Sequence, residues 1–125
     1  MIADWKPRQR VWIALSDLFL DTDVSLHFDY ITRELVPAPF TLDELDMILR
    51  DEVAPVFLPN LLVVAGEWAG FPVERVAQKI GAYLRRPGWW RRLGRPRRAV
   101  LLRQFVPEWP ALLQRIATER EGLGQ

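Results

Sequence analysis

From residue 10 onward the hydrophobic positions recur at helical spacing. Val11, Trp12, Leu15, Leu18 and Phe19 follow the i, i+1, i+4, i+7, i+8 rhythm of one buried face, which predicts a helix over residues 10–20. The polar triplet Asp21-Thr22-Asp23 breaks that rhythm and offers Asp23 as the N-cap of a second helix. In that helix Val24, Phe28, Ile31 and Leu35 share one side, and Pro37 and Pro39 stop it, because proline disfavours helix in the residue before it. Thr41-Leu42-Asp43-Glu44 is a capping-box pattern. It opens a third helix with Leu45, Ile48, Leu49 and Val53 on the inner face.

Pro55 and Pro59 then interrupt the pattern. A fourth helix is expected to start near Pro59, and Leu61 to Ala65 with Trp68 make it the most apolar stretch and the expected centre of the core. Gly70 is its expected C-cap. Pro72 opens a fifth, with Val73, Val76, Ala77, Ile80 and Leu84 inward. Residues 85–98 read as a linker or loop rich in arginine and tryptophan. Val100, Leu101 and Phe105 suggest a short sixth helix, and Pro107 and Pro110 the first turn of a seventh carrying Leu112, Leu113, Ile116 and Ala117. Residues 122–125 are expected to fray. Residues 53–58 and 61–65 suit buried strands on composition alone, but no run alternates with period two over a strand length. The expectation is therefore all-α: one domain over residues 1–125, an irregular bundle of about six or seven short helices.

Composition removes several chemistries. There are 125 residues, half of them hydrophobic, which suffices for a real core. Cysteine is absent, so disulfides, thiolate metal sites and cysteine nucleophiles are excluded. The longest apolar stretch, residues 53–65, is broken by Pro55, Pro59 and Asn60 and is too short to cross a bilayer. The first residues carry no apolar signal core, and the expected location is the cytoplasm.

Charge changes the picture more. Residues 1–84 hold seven Lys/Arg against thirteen Asp/Glu, while residues 85–125 hold ten against three; a net of −6 faces a net of +7 behind a total of +1. Seven of the fourteen residues from 85 to 98 are arginine: Arg85, Arg86, Arg91, Arg92, Arg95, Arg97 and Arg98, with Trp89 and Trp90 among them. Arginine grips phosphate or carboxylate bidentately and tryptophan stacks on unpaired bases. These residues can thus bind a protein partner or a nucleic acid. The plainer reading is that the tryptophans cover the core and the arginines pair with the acidic half, within one chain or across a homodimer.

The opposite pole is Asp17, Asp21, Asp23 and Asp29, an expected acidic docking face for a basic partner. A calcium loop is not among its readings, because the required glycine and closing glutamate are missing. No metal and no cofactor is expected. His27 is the single histidine, and there is no phosphate-binding glycine loop and no zinc-protease motif. A third reading, a small enzyme, would use Glu67 and neighbouring acids, and catalysis is not expected.

Two blocks, Val11-Trp12-Ile13-Ala14-Leu15-Ser16-Asp17-Leu18-Phe19-Leu20-Asp21-Thr22 and Glu52 to Phe57 running on to Ala65-Gly66-Glu67-Trp68-Ala69-Gly70-Phe71, resemble a family of small proteobacterial proteins of uncharacterised function. The resemblance spans about residues 8–84 and brings no catalytic residues. In size and class such proteins are similar to the immunity proteins that neutralise toxins of rival bacteria. The expected function is accordingly a protein-binding module of immunity or antitoxin type, docking a toxin or effector by charge complementarity. The alternative is nucleic-acid binding through residues 85–98.

Overall fold

The structure, a computed structural model, describes residues 2–63, 66, 67 and 69–123, with side chains from Lys6 onward. Among the described residues there is no strand. Eight α-helical segments follow in order: α1 (Ile2–Ser16), α2 (Phe28–Leu35), α3 (Leu42–Ile48), α4 (Ala54–Phe57), α5 (Val73–Leu84), α6 (Gly88–Arg92), α7 (Arg95–Phe105) and α8 (Trp109–Leu123). A π turn, Leu49–Val53, joins α3 to α4 without a break, so the chain forms seven helical rods. The all-α irregular bundle expected from the hydrophobic pattern is what the chain adopts.

The expected faces of α1 and α3 are the core. Val11, Trp12, Leu15, Leu18 and Phe19 are buried, the last two from a 3-10 turn that extends α1. Leu45, Ile48, Leu49 and Val53 are fully buried. The α3 start is the expected capping box: Thr41 Oγ1 accepts from the Glu44 amide, and Glu44 Oε1 accepts from the Thr41 amide. Asp23 caps as expected too, accepting from the Ser25 amide, although the turn it opens is 3-10 before α2 begins at Phe28.

The chain departs from expectation at the prolines. Pro55 does not break the helix. The Ala54 amide bonds to the Leu49 carbonyl, five residues back, and Pro55 sits in the first turn of α4, where no amide is needed. The rod ends instead at a 3-10 turn, Leu58–Leu62, and residues 61–63 are not the centre of the core: Leu62 and Val63 are about half exposed. A run of consecutive apolar residues has no helical period, so the sequence does not say which of them face inward. Val64, Ala65 and Trp68 lie outside the described residues, and no helix ends at Gly70. Gly66 has a steric reason: a Cβ there would sit 2.3 Å from the Asn60 carbonyl oxygen. Asn60 holds that approach, donating to the Phe19 carbonyl and exchanging hydrogen bonds with the Glu67 backbone.

α5 buries Val76 and Ile80 but leaves Val73 exposed. α8 buries Trp109, Leu112 and Ile116, and it runs through Gly122 and Leu123 where fraying was expected; residues 124 and 125 are not described. α8 packs on α2 and α3. Its Arg120 donates to the carbonyls of Leu35, Val36, Ala38 and Phe40 around the end of α2 and the turn after it, where the Leu35 and Ala38 carbonyls also accept from the Ala38 and Phe40 amides. One contiguous core links α1, α2, α3, α5, α7 and α8.

Arg120→Ala is expected to lower the unfolding free energy by about 2–3 kcal/mol, since four part-buried carbonyls lose a charged donor. Arg120→Lys should recover less than half, because an ammonium cannot span the four acceptors. Urea denaturation of the three proteins checks this, and an unchanged midpoint for Arg120→Ala would remove the clamp from the fold's account.

Candidate functional site

Residues 85–98 are not a linker. Pro87 precedes α6 and Pro96 lies in the first turn of α7, both positions where proline's missing amide costs nothing. Arginine is among the better helix formers, so the run between them coils readily once its charges have partners. In the corner formed by α6 and α7, α7 packs on the π turn and α4.

Some arginines are spent inside this corner. Arg95 grips Asp51 with two hydrogen bonds, at 3.0 and 2.9 Å. Arg98, only 14 % exposed, lies 3.9 Å from the same carboxylate and donates at 3.3 Å to the Arg50 carbonyl. That carbonyl is the acceptor the π turn strands. The Ala54 amide has moved on to Leu49, and Pro55 has no hydrogen to offer. Arg91 donates to the Arg86 carbonyl, and its own carbonyl accepts from Tyr83 and Arg98. Trp90 is flanked by Tyr83, ring centroids 6.2 Å apart, and by the Arg86 guanidinium at 5.0 Å.

The remainder faces outward. Arg85, Arg92, Arg97 and Arg103 have no ion pair among the described residues. Trp89 is 62 % exposed and Leu93 70 %, and Val100 is also exposed, although it was expected to mark the sixth helix's apolar side; Leu102 takes the buried position. A groove of about 410 Å³ runs between α4 and its 3-10 extension on one side and α6–α7 on the other. A larger groove, about 560 Å³, lies between α1 and the Pro37–Pro39 turn and carries both signs of charge, Lys6 and Arg10 with Glu34.

The four aspartates do not make a common free face. Asp17 is mostly buried and lies 3.1 Å from His27 Nδ1; burial pushes its carboxyl above the usual range, and His27 opposes that shift. Asp23 is occupied as a cap, and hydrogen bonds from the Ser25 hydroxyl and amide hold its carboxyl below the usual range. Asp29 is exposed but paired with Arg115 of α8 at 2.7 Å. Asp21 and Asp23 are both exposed with no ion pair among the described residues, and of the two only Asp23 has its side chain hydrogen-bonded there. No cluster of three or more potential metal ligands occurs among them. Glu67 Oε1 accepts from the Ala69 amide.

Sequence reasoning missed two internal charges. Glu52 is buried, accepting from Arg8 Nε at 2.9 Å and from Trp12 Nε1 at 2.8 Å. Asp46 accepts from Arg50 and from Trp109 Nε1. The Asp46–Arg50 spacing of four was readable on a helix; the partners 40 and 63 residues away left no local signal.

The described residues thus form an all-α protein whose surface carries arginines without ion pairs, an exposed tryptophan and an apolar groove. The chain belongs to the family described as a domain of unknown function (DUF7079), which matches residues 6–115 and so takes in the basic corner as well as the acidic half. No curated protein and no solved structure matches it. Among the described residues no helix is long and apolar enough to cross a membrane.

The two kinds of arginine separate by mutation. Arg98→Met is expected to cost about 2 kcal/mol of stability, because the Arg50 carbonyl and Asp51 lose a charged donor in a mostly buried place. Arg97→Met should stay within about 0.5 kcal/mol of wild type. Thermal or urea unfolding decides, and equal costs would dissolve the distinction. A second test concerns pH. The Asp17 carboxyl binds its proton more tightly folded than unfolded, so stability falls as pH rises from 3.8 through its folded pKa and is flat beyond. Asp17→Asn should remove that fall, which would show as a sloping difference curve between the two proteins in that window.

Proposed function

We propose that this chain is a protein-binding module whose docking surface is the α6–α7 corner. On this reading it works as immunity proteins and antitoxins do, by covering a functional surface of a partner protein of opposite charge. One observation carries the reading: Arg85, Arg92, Arg97 and Arg103 have no ion pair among the described residues, and the same segment, residues 85–103, exposes Trp89, Leu93 and Val100. Unpaired guanidinium groups would speed encounter with an acidic partner, while tryptophan and leucine would supply the desolvated centre of the interface. The acidic residues support the opposite polarity less well, since Asp17, Asp23 and Asp29 already have partners within the chain.

The second reading, single-stranded nucleic acid, draws on the same arginines and on the open Trp89 ring. It loses one of its two stacking platforms, because Trp90 already has Tyr83 and Arg86 beside it.

A tagged pull-down from the native host, with nuclease, tests both. The expected result is one stoichiometric protein that survives nuclease, dissociates as salt rises, is lost from the Arg92→Glu/Arg97→Glu variant and is retained by Asp21→Lys/Asp29→Lys. Retention by the arginine variant would move the docking surface elsewhere, and recovery of nucleic acid with the protein lost on digestion would favour the second reading.

A further inference from the structure

The groove beside the basic corner has a definite chemistry. One wall is Pro55, Leu58 and Leu62; the other is Trp90, Leu93 and Leu101. Leu58 is buried and anchors the floor, while Leu62 and Leu93 are more than half exposed at the two rims. Pro55 and Pro59 fix backbone torsions along one wall, so the groove is largely formed before anything enters it. At about 410 Å³ it has room for a few aliphatic side chains.

Its electrostatics are one-sided. Arg91 and Arg98 line it and no carboxylate does. Arg97 stands one turn before Leu101 on α7, so a cation without an ion pair among the described residues borders the apolar rim, and Arg92 lies in the adjoining hollow, which shares Arg91 and Arg98 with the groove. Asp51, 3.9 Å from the groove-lining Arg98, is already gripped by Arg95. A purely apolar occupant would leave these cations without partners, and a purely acidic one would leave the leucines in water.

Resting on the protein-binding reading, we propose that this groove receives an acidic amphipathic helix of the partner, with apolar residues at i, i+3 or i+4, and i+7 seated between α4 and α7 and carboxylates reaching Arg92 and Arg97. A helix is the fitting form, because the groove lies between helices and no sheet edge exists among the described residues to take up a strand.

The probe is a displayed library of random peptides about 16 residues long, roughly four helical turns, selected on the immobilised wild-type chain. The expected winners carry an excess of Asp and Glu and a leucine-like residue at helical spacing. A synthesised winner should bind Leu62→Ser/Leu93→Ser and Arg92→Glu/Arg97→Glu each at least about tenfold more weakly than wild type. All four substitutions fall on exposed side chains, so both variants should fold, and unchanged thermal unfolding confirms it. Acidic winners without apolar period, binding the leucine variant as tightly as wild type, would overturn the groove while leaving the basic surface as a docking site. Winners without acidic excess, or no winners, would overturn both. A dimer of the wild-type chain in sedimentation equilibrium, broken by Leu62→Ser/Leu93→Ser, would assign the groove to a second copy and overturn the proposal.

Discussion

A proline in mid-helix has no hydrogen to give, and the packing of this molecule is arranged around that missing donor. At Pro55 the rod that begins at Thr41 has two outcomes: to break, or to change register. It changes register, and the π turn at Leu49–Val53 is the result. The wider turn leaves the Arg50 carbonyl open, and Arg98 reaches it from α7. The same turn presents Glu52 to α1, where Arg8 and Trp12 receive it, and Asp51 to Arg95. The turn is in contact with α1, α3, α4, α5 and α7. π turns are costly on their own, so this one persists because those neighbours satisfy what it exposes.

The charge split along the chain follows the same logic. A half of net −6 and a half of net +7 would be a strong dipole if each folded separately. They do not. Arg95 and Arg98 meet Asp51, Arg115 meets Asp29, and Arg120 closes the end of α2. Exposed pairs such as Arg115–Asp29 contribute little to stability. The buried or carbonyl-directed contacts of Glu52, Arg98 and Arg120 matter more, because breaking any of them leaves a desolvated group unmatched. What is left after this internal pairing is a smaller basic surface, and it is that residue of charge, not the whole arginine run, that can act on a partner.

How far the sequence could be read depended on the range of the deciding interaction. The faces of α1 and α3, the Thr41–Glu44 box and the Asp23 cap are set by residues within a turn or two of one another, and the helical period exposed them. Residues 61–63 looked like core because hydrophobicity without period carries no direction. Residues 85–98 looked like a loop because arginine runs suggest solvated charge, while the acceptors that order them, Asp51 and the Arg50 carbonyl, lie more than forty residues upstream. Asp29 and Asp17 looked free for the same reason: Arg115 and His27 come to them only in the folded chain. The site was readable as a segment but not as a surface, since spacing could not say which arginines the fold consumes.

That division has a consequence for how stability and recognition can vary in this corner. Arg98 cannot change without cost to the π turn, so α7 is held in place by a group facing inward, while the exposed Arg95–Asp51 pair adds less. Arg92 of α6, Leu93 just after it and Arg97 of α7 are exposed and make no side-chain hydrogen bond or ion pair among the described residues. A rigid scaffold carrying side chains with no structural duty is the arrangement in which binding specificity can shift by substitution while the fold stays put. The groove wall contributed by Pro55 shares this rigidity, because the proline that forces the π turn also fixes the wall. The constraint that the fold had to accommodate thus also provides the preorganised face on which a partner would dock.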